Sequence, residues 1–84
     1  MIKILYAEDD IMQARTCIDY LKRAGFEVFH AVDGVQALWL YRKETPDLIL
    51  MDVIMPKMNG FEVVKIIREE DFSVPILFIS SLTH

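Results

Sequence analysis

Four short apolar runs, at residues 2–7, 26–32, 48–51 and 75–79, alternate with three stretches of helical periodicity, and this alternation restricts the fold more than any other feature of the chain. The first run is apolar apart from Lys3 and ends abruptly in Glu8-Asp9-Asp10. Residues 11–24 then repeat apolar side chains at Ala14, Cys17, Ile18 and Leu21, one face of a helix that Asp10 can cap and Gly25 can end. Residues 26–32 alternate in part, with Phe26, Val28 and His30 opposite Glu27 and Phe29. Asp33-Gly34 reads as a turn, and residues 35–44 as a second helix with Ala37, Leu38 and Tyr41 inward. Thr45-Pro46-Asp47 stops that helix, because a residue before proline avoids the helical region. The run at 48–51 ends in Asp52, a loop holding Pro56 follows, and Gly60 opens a third helix with Phe61, Val64 and Ile67 on one face. Ser80 closes the last run. Strand–helix repeated three times and then a strand means parallel strands joined by crossover helices, and strands without polar alternation are covered on both faces.

A parallel sheet puts the C-terminal end of every strand at one border. Glu8, Asp9 and Asp52 each stand at such an end. If the first and third strands are neighbours and the second lies outside the first, the chain reverses direction between them and leaves a crevice there. Asp9 and Asp52 then face each other across it. Two carboxylates at ~4 Å repel by roughly 4 kcal/mol at an effective dielectric of 20, and a third acid adds to this. Such a cluster either takes up a proton or binds a divalent cation, and oxygen-only ligands suit Mg²⁺. The plainer alternative at this point is that the acids are solvated turn residues and helix caps.

Composition narrows the function classes. With 84 residues the chain is one domain at most, and 54% hydrophobic content makes it globular. A net charge of −4 argues against direct nucleic-acid binding by this segment, which needs clustered Lys and Arg. One cysteine, Cys17, excludes an internal disulfide. No apolar run approaches a membrane span and the first residues lack a signal-peptide pattern, so a cytoplasmic location without a membrane partner is expected.

The residues 3–10 (Lys-Ile-Leu-Tyr-Ala-Glu-Asp-Asp), 31–38 (Ala-Val-Asp-Gly-Val-Gln-Ala-Leu), 46–60 (Pro-Asp-Leu-Ile-Leu-Met-Asp-Val-Ile-Met-Pro-Lys-Met-Asn-Gly) and 75–81 (Pro-Ile-Leu-Phe-Ile-Ser-Ser) together resemble the receiver domains of two-component response regulators. The run at 46–60 is the most specific of the four. The resemblance implies a flavodoxin-like, doubly wound parallel sheet of strand order 2-1-3-4, with the fifth strand and last two helices of the family missing, so that residues 1–84 are an incomplete receiver domain. It implies that Asp52 is the phosphoacceptor for a sensor histidine kinase, that Asp9 and Asp52 ligate Mg²⁺, that Ile54 adds its backbone carbonyl, and that Glu8 acts through a metal-bound water. Ser80 is then the phosphoryl contact and switch residue, and Ser81 lends an amide. Gly60 supplies either a positive-φ geometry or simply a small residue at a helix start. Such a domain assists its own phosphorylation and is not a turnover enzyme.

The match departs from the family at its end: the lysine and the aromatic of the fifth strand have no counterpart here, and Lys57 reads as a solvated loop charge. The fourth strand is then an exposed edge, the apolar faces of the first and third strands are partly uncovered, and a homodimer or strand-exchanged oligomer is expected. The alternative function is a signalling-incompetent, self-associating interaction module. A Mg²⁺-dependent phosphohydrolase would carry Asp-X-Asp after the first strand, where this chain has Glu8-Asp9-Asp10. Trp39 and Leu40 lie off the main apolar face of the second helix and read as a partly buried rim rather than a partner patch. His30 reads as a strand residue rather than a ligand, and Tyr6 and Phe78 as core packing.

Overall fold

The computed structural model describes residues 1–79. The elements are β1 (Lys3–Ala7), α1 (Ile11–Arg23), β2 (Glu27–Ala31), α2 (Gly34–Glu44), β3 (Leu48–Asp52), α3 (Gly60–Glu70) and β4 (Ile76–Ile79). The strands form one parallel sheet of order β2-β1-β3-β4, the order that the motifs implied. Ser80 and Ser81 lie outside the described residues.

The helix ends are set locally. Asp10 caps α1 by accepting from the amides of Met12 at 3.0 Å and Gln13 at 3.2 Å. At the other end the Gly25 amide donates to Lys22 and the Phe26 amide to Leu21, with Gly25 at φ 98°. That pair of bonds is the Schellman arrangement, which needs a left-handed residue where Gly25 stands. Asp33 caps α2 through the Gln36 amide at 2.8 Å, so Asp33-Gly34 is a helix start rather than a free turn. Asn59 and Glu62 form a reciprocal capping box at the start of α3. Asp71 accepts from the Ser73 and Val74 amides and turns the chain into β4.

Strand alternation divides the core between the two faces of the sheet. One face carries Leu5, Ala7, Ala31, Ile49 and Met51, covered by Ala37, Leu38 and Tyr41 of α2 and by Val63 and Ile67 of α3. Ile4 and Tyr6 project from the other face, where Tyr6 meets Cys17 of α1. Burial first, and the Cys17 contact second, hold the Tyr6 phenol well above its usual range.

Several expectations about packing are corrected here. The buried stripe of α3 is Gly60, Val63 and Ile67, while Phe61 is 59% exposed and Val64 half-buried. The two stripes overlap in sequence, and the small Gly60 lets the helix start press against β3, which turns Phe61 outward. Phe61 leans instead on Phe78 of the border strand, with ring centroids 4.9 Å apart. Phe78 is itself 44% exposed, so it is not a core residue. β1 is not uncovered: Ile4, Leu5, Tyr6 and Ala7 are all at most 4% exposed, because this strand is central and helices cover both its faces. On β3, Leu48 and Leu50 are half-buried, and on β4 Leu77 and Phe78 are exposed. On α1 only Ala14 is buried, with Cys17, Ile18 and Leu21 half-buried.

Thr45, which ends α2, sits at φ 44° and ψ 66°. A β-branched side chain is disfavoured there, whereas asparagine tolerates the left-handed region. Thr45→Asn is therefore expected to raise stability by ~0.5–1 kcal/mol, read as a higher urea midpoint at unchanged slope.

Candidate metal centre at the strand tips

The parallel register delivers the acids to one border. Ala7 pairs with Met51, so the next residue of each strand, Glu8 and Asp52, emerges at the same edge. The Glu8 amide donates to the Ala31 carbonyl at 2.9 Å, which carries the β1–β2 ladder one residue further. The Asp10 carboxylate is committed to capping α1, so it turns away from the other acids while Asp9 stays at the opening. Beyond Asp52 the loop folds tightly back. The Ile54 amide donates to Asp52 Oδ1 at 3.3 Å, and the Gly60 amide to the Val53 carbonyl at 2.8 Å. A Cβ on Gly60 would collide with the Asp52 carbonyl oxygen. Gly60 is not among the positive-φ residues, so its role is close approach, the second of the two readings its sequence position allowed. The loop's positive φ belongs to Lys57, at 70°, within a three-residue turn closed by Met58 N–H donating to the Pro56 carbonyl at 2.8 Å.

Glu8, Asp9 and Asp52 each present an oxygen, and these oxygens lie within 4.8 Å of one another. Glu8 is 3% and Asp52 4% exposed, whereas Asp9 faces solvent. Burial is the largest influence on Glu8. The Asp10 amide at 3.1 Å stabilises its carboxylate, but the hydrogen bond and charge of Asp52 and the charge of Asp9 oppose this, and its pKa is pushed up to about 7. The cluster therefore holds a proton near neutrality or awaits a positive charge. Its donors are all carboxylate oxygens, which fits a hard divalent cation such as Mg²⁺ rather than a soft metal.

The structure thus brings together Glu8, Asp9 and Asp52, sets the Ile54 backbone beside Asp52, and sends Asp10 elsewhere. Ser80 and Ser81 fall outside the described residues. Two supports escaped sequence reasoning. His30 Nε2 lies 2.7 Å from the Glu8 carbonyl, which can only accept, so that nitrogen carries the proton, and the ring stacks on Tyr6 at 5.9 Å. The signal was the register that sets His30 beside Tyr6, invisible until the strands are paired. The second is Lys57, whose ammonium reaches Asp33 at 3.3 Å and ties the loop to the start of α2. Lys57 is largely solvated, as expected, but it is also paired.

Comparison with known proteins gives a consistent picture. The family model described as "Response regulator receiver domain" matches residues 4–84. The chain is 39% identical over 82 residues to the alkaline phosphatase synthesis transcriptional regulatory protein PhoP of Bacillus subtilis, covering 96% of this chain and 34% of that protein. It is 41% identical over 80 residues to the probable transcriptional regulator ycf27 of Galdieria sulphuraria, covering 95% and 31% respectively. The chain thus spans about a third of the length of these relatives. Among solved structures, Vibrio cholerae chemotaxis protein CheY4 superposes with a TM-score of 0.92 at 38% identity, covering 100% of this chain and 72% of that one. The receiver domain of the Francisella response regulator 1452 gives 0.91 at 30% identity, covering 100% and 69%.

The Glu8 shift has a definite sign. Its folded pKa, about 7, lies above the ordinary 4.5, so the stability it contributes is full below 4.5 and is lost as pH rises through 7. Urea titrations of the metal-free chain are expected to show stability falling across that window, and Glu8→Gln to flatten the fall and raise stability at neutral pH by ~1–3 kcal/mol. Added Mg²⁺ should offset the fall in the unsubstituted chain by binding the folded state.

Proposed function

The chain belongs to the response regulator receiver family, and from that premise we propose that Asp52 accepts a phosphoryl group from a phosphorylated histidine kinase with Mg²⁺ in the adjoining acid cluster. The observation that carries this reading is the convergence of Glu8, Asp9 and Asp52 at the shared end of β1 and β3. A carboxylate oxygen of Asp52 attacks phosphorus, a new P–O bond forms as the P–N bond of the donor phosphohistidine breaks, and the electron pair returns to the imidazole nitrogen, which takes a proton. The Ile54 amide donates to Oδ1 and holds the carboxylate's orientation.

In this reading Asp9, Asp52 and the Ile54 carbonyl would ligate the cation, and Glu8 would act through a metal-bound water. A cation held there would relieve the repulsion among the acids and supply positive charge for the phosphoryl oxygens. Glu8 must release its proton for this, which its position against two other carboxylates makes responsive to a nearby cation. The family resemblance assigns the phosphoryl contact to Ser80 and an amide to Ser81, both outside the described residues. Residues 1–84 act as a stoichiometric signalling domain. Among the described residues no helix is long and apolar enough to cross a membrane.

Incubation with acetyl phosphate, or with a phosphorylated histidine kinase, and Mg²⁺ is expected to add one acid-stable, base-labile phosphoryl group per chain. Mass spectrometry should place it on Asp52, Asp52→Asn should abolish it, and Asp9→Asn should reduce it by about tenfold or more. Label elsewhere, or label that survives in Asp52→Asn, would falsify this assignment.

A second reading, self-association, is favoured by β4. Among the described residues this strand is at the border of the sheet, with Leu77 58% and Phe78 44% exposed. An unpaired strand edge with apolar flanks templates another strand. Light scattering is expected to show a concentration-dependent dimer, and Leu77→Lys to return the chain to a monomer. A monomer at all concentrations removes this reading.

A further inference from the structure

The phosphoacceptor site makes no use of the outer face of α2. Val35, Leu38, Trp39, Arg42 and Lys43 recur there at helical spacing, and Met58 from the loop before α3 closes one side of a groove of about 560 Å³. Leu38 is its buried floor, whereas Val35 is 53% and Trp39 58% exposed. Trp39 is therefore not the partly buried rim that its sequence position suggested. Only Leu40, its neighbour, packs against the core. The core face of α2 is completed by Ala37, Leu38 and Tyr41, so neither Val35 nor Trp39 is needed to hold the helix down.

The far end of the groove is cationic. Lys43 Nζ stands 4.7 Å from the Trp39 ring centre, and Arg42 reaches Glu70 of α3 at 2.7 Å. Arg42 donates to Glu70 through Nε at 3.1 Å and Nη2 at 2.7 Å, but the pair is solvent-exposed, so a partner carboxylate can share the guanidinium. An open tryptophan beside two exchangeable cations is a combination found at the anchor points of protein interfaces.

We propose that this face docks an acidic amphipathic helix of a partner protein. Its apolar side chains would fill the Val35–Trp39–Met58 half, and its carboxylates would meet Arg42 and Lys43. α2 has 11 residues, about 16 Å of axis, which matches anchors at i, i+3 or i+4, and i+7 on the partner. Charge selects this occupant over the others. A second copy docked two-fold about Trp39 would lay Arg42 and Lys43 against Gln36 and Val35, which offer them no carboxylate. Nucleic acid would meet only two cations on a chain of net charge −4. Docking on this face is independent of metal or phosphoryl binding.

The test is selection of a randomised library of displayed helical peptides on the intact chain without Mg²⁺ or a phosphoryl donor. Selected peptides are resynthesised, and binding is read both by the fluorescence of Trp39, the single tryptophan, and by anisotropy of labelled peptide. Selected sequences are expected to carry apolar residues at helical spacing flanked by Asp and Glu. Trp39→Ala should weaken binding by about tenfold or more. The double substitution Arg42→Glu, Lys43→Glu should weaken it similarly and shift preference to Lys-flanked peptides. Circular dichroism checks that each variant is folded. Failure to select any peptide, no bias toward acidic residues, or binding unchanged in either variant overturns the proposal. So does a Trp39-dependent dimer in solution, or anionic vesicles or DNA competing for the face better than the peptides.

Discussion

The strongest constraint on this molecule is the mutual repulsion of carboxylates that its own backbone hydrogen bonds force together. Parallel pairing of β1 with β3 in the Ala7–Met51 register leaves Glu8 and Asp52 no separate exits from the sheet. Packing then buries both, and burial pushes the Glu8 pKa up. The neighbourhood is arranged around that burden. Asp10 is diverted to cap α1, which removes one negative charge from the crevice. The Glu8 carbonyl is backed by His30, and the Asp52 carboxylate accepts from the Ile54 amide. What is left is a site in which ionisation of Glu8 is disfavoured and whose natural relief is a cation.

The surrounding fold serves to keep this burden from being relieved by movement. Gly60 permits α3 to start directly on the Asp52 carbonyl, and a side chain there would push the helix away. Gly34 does the same for α2, since a Cβ on it would meet the Met58 backbone. Lys57 joins Asp33 across the same gap. The loop that carries Ile54 is therefore braced by the starts of two helices, both of which pack on the well-filled face of the sheet. The opposite face is thinner, with α1 burying only Ala14, and the open apolar area gathers toward β4. Exposed apolar side chains lie on β4 and the outside of α2, and Ile11, Met12 and Ile54 also flank the acids at the strand tips.

Much of this was legible in the residues alone. Short apolar runs alternating with 3.6-residue periodicity dictate parallel strands and crossover helices, because each kind of repeat can bury only one kind of face. Acids immediately after two such runs must then share a border. Caps at Asp10 and Gly25 were equally readable, since they act within a few residues of themselves. Misreadings occurred where the answer depended on a partner distant in sequence. Phe61 was placed inward because its spacing from Val64 and Ile67 is as good as that of Gly60 and Val63, and only the approach of α3 to β3 selects between the two stripes. Phe78 reads as core and Trp39 as a partly buried rim, and both stand more open than that because the sequence does not say where cover ends.

By itself, then, the sequence determined the element order, the local caps and the identity of the acids, since hydrogen-bond periodicity and short-range capping need no distant partner. Tertiary structure decided how near Glu8, Asp9 and Asp52 come, which of them loses water, that His30 and Lys57 brace the site, and which apolar side chains stay outside. Those outcomes rest on strand register and helix approach, where residues far apart in the chain meet. A shift of one residue in register would turn every side chain of a strand to the opposite face.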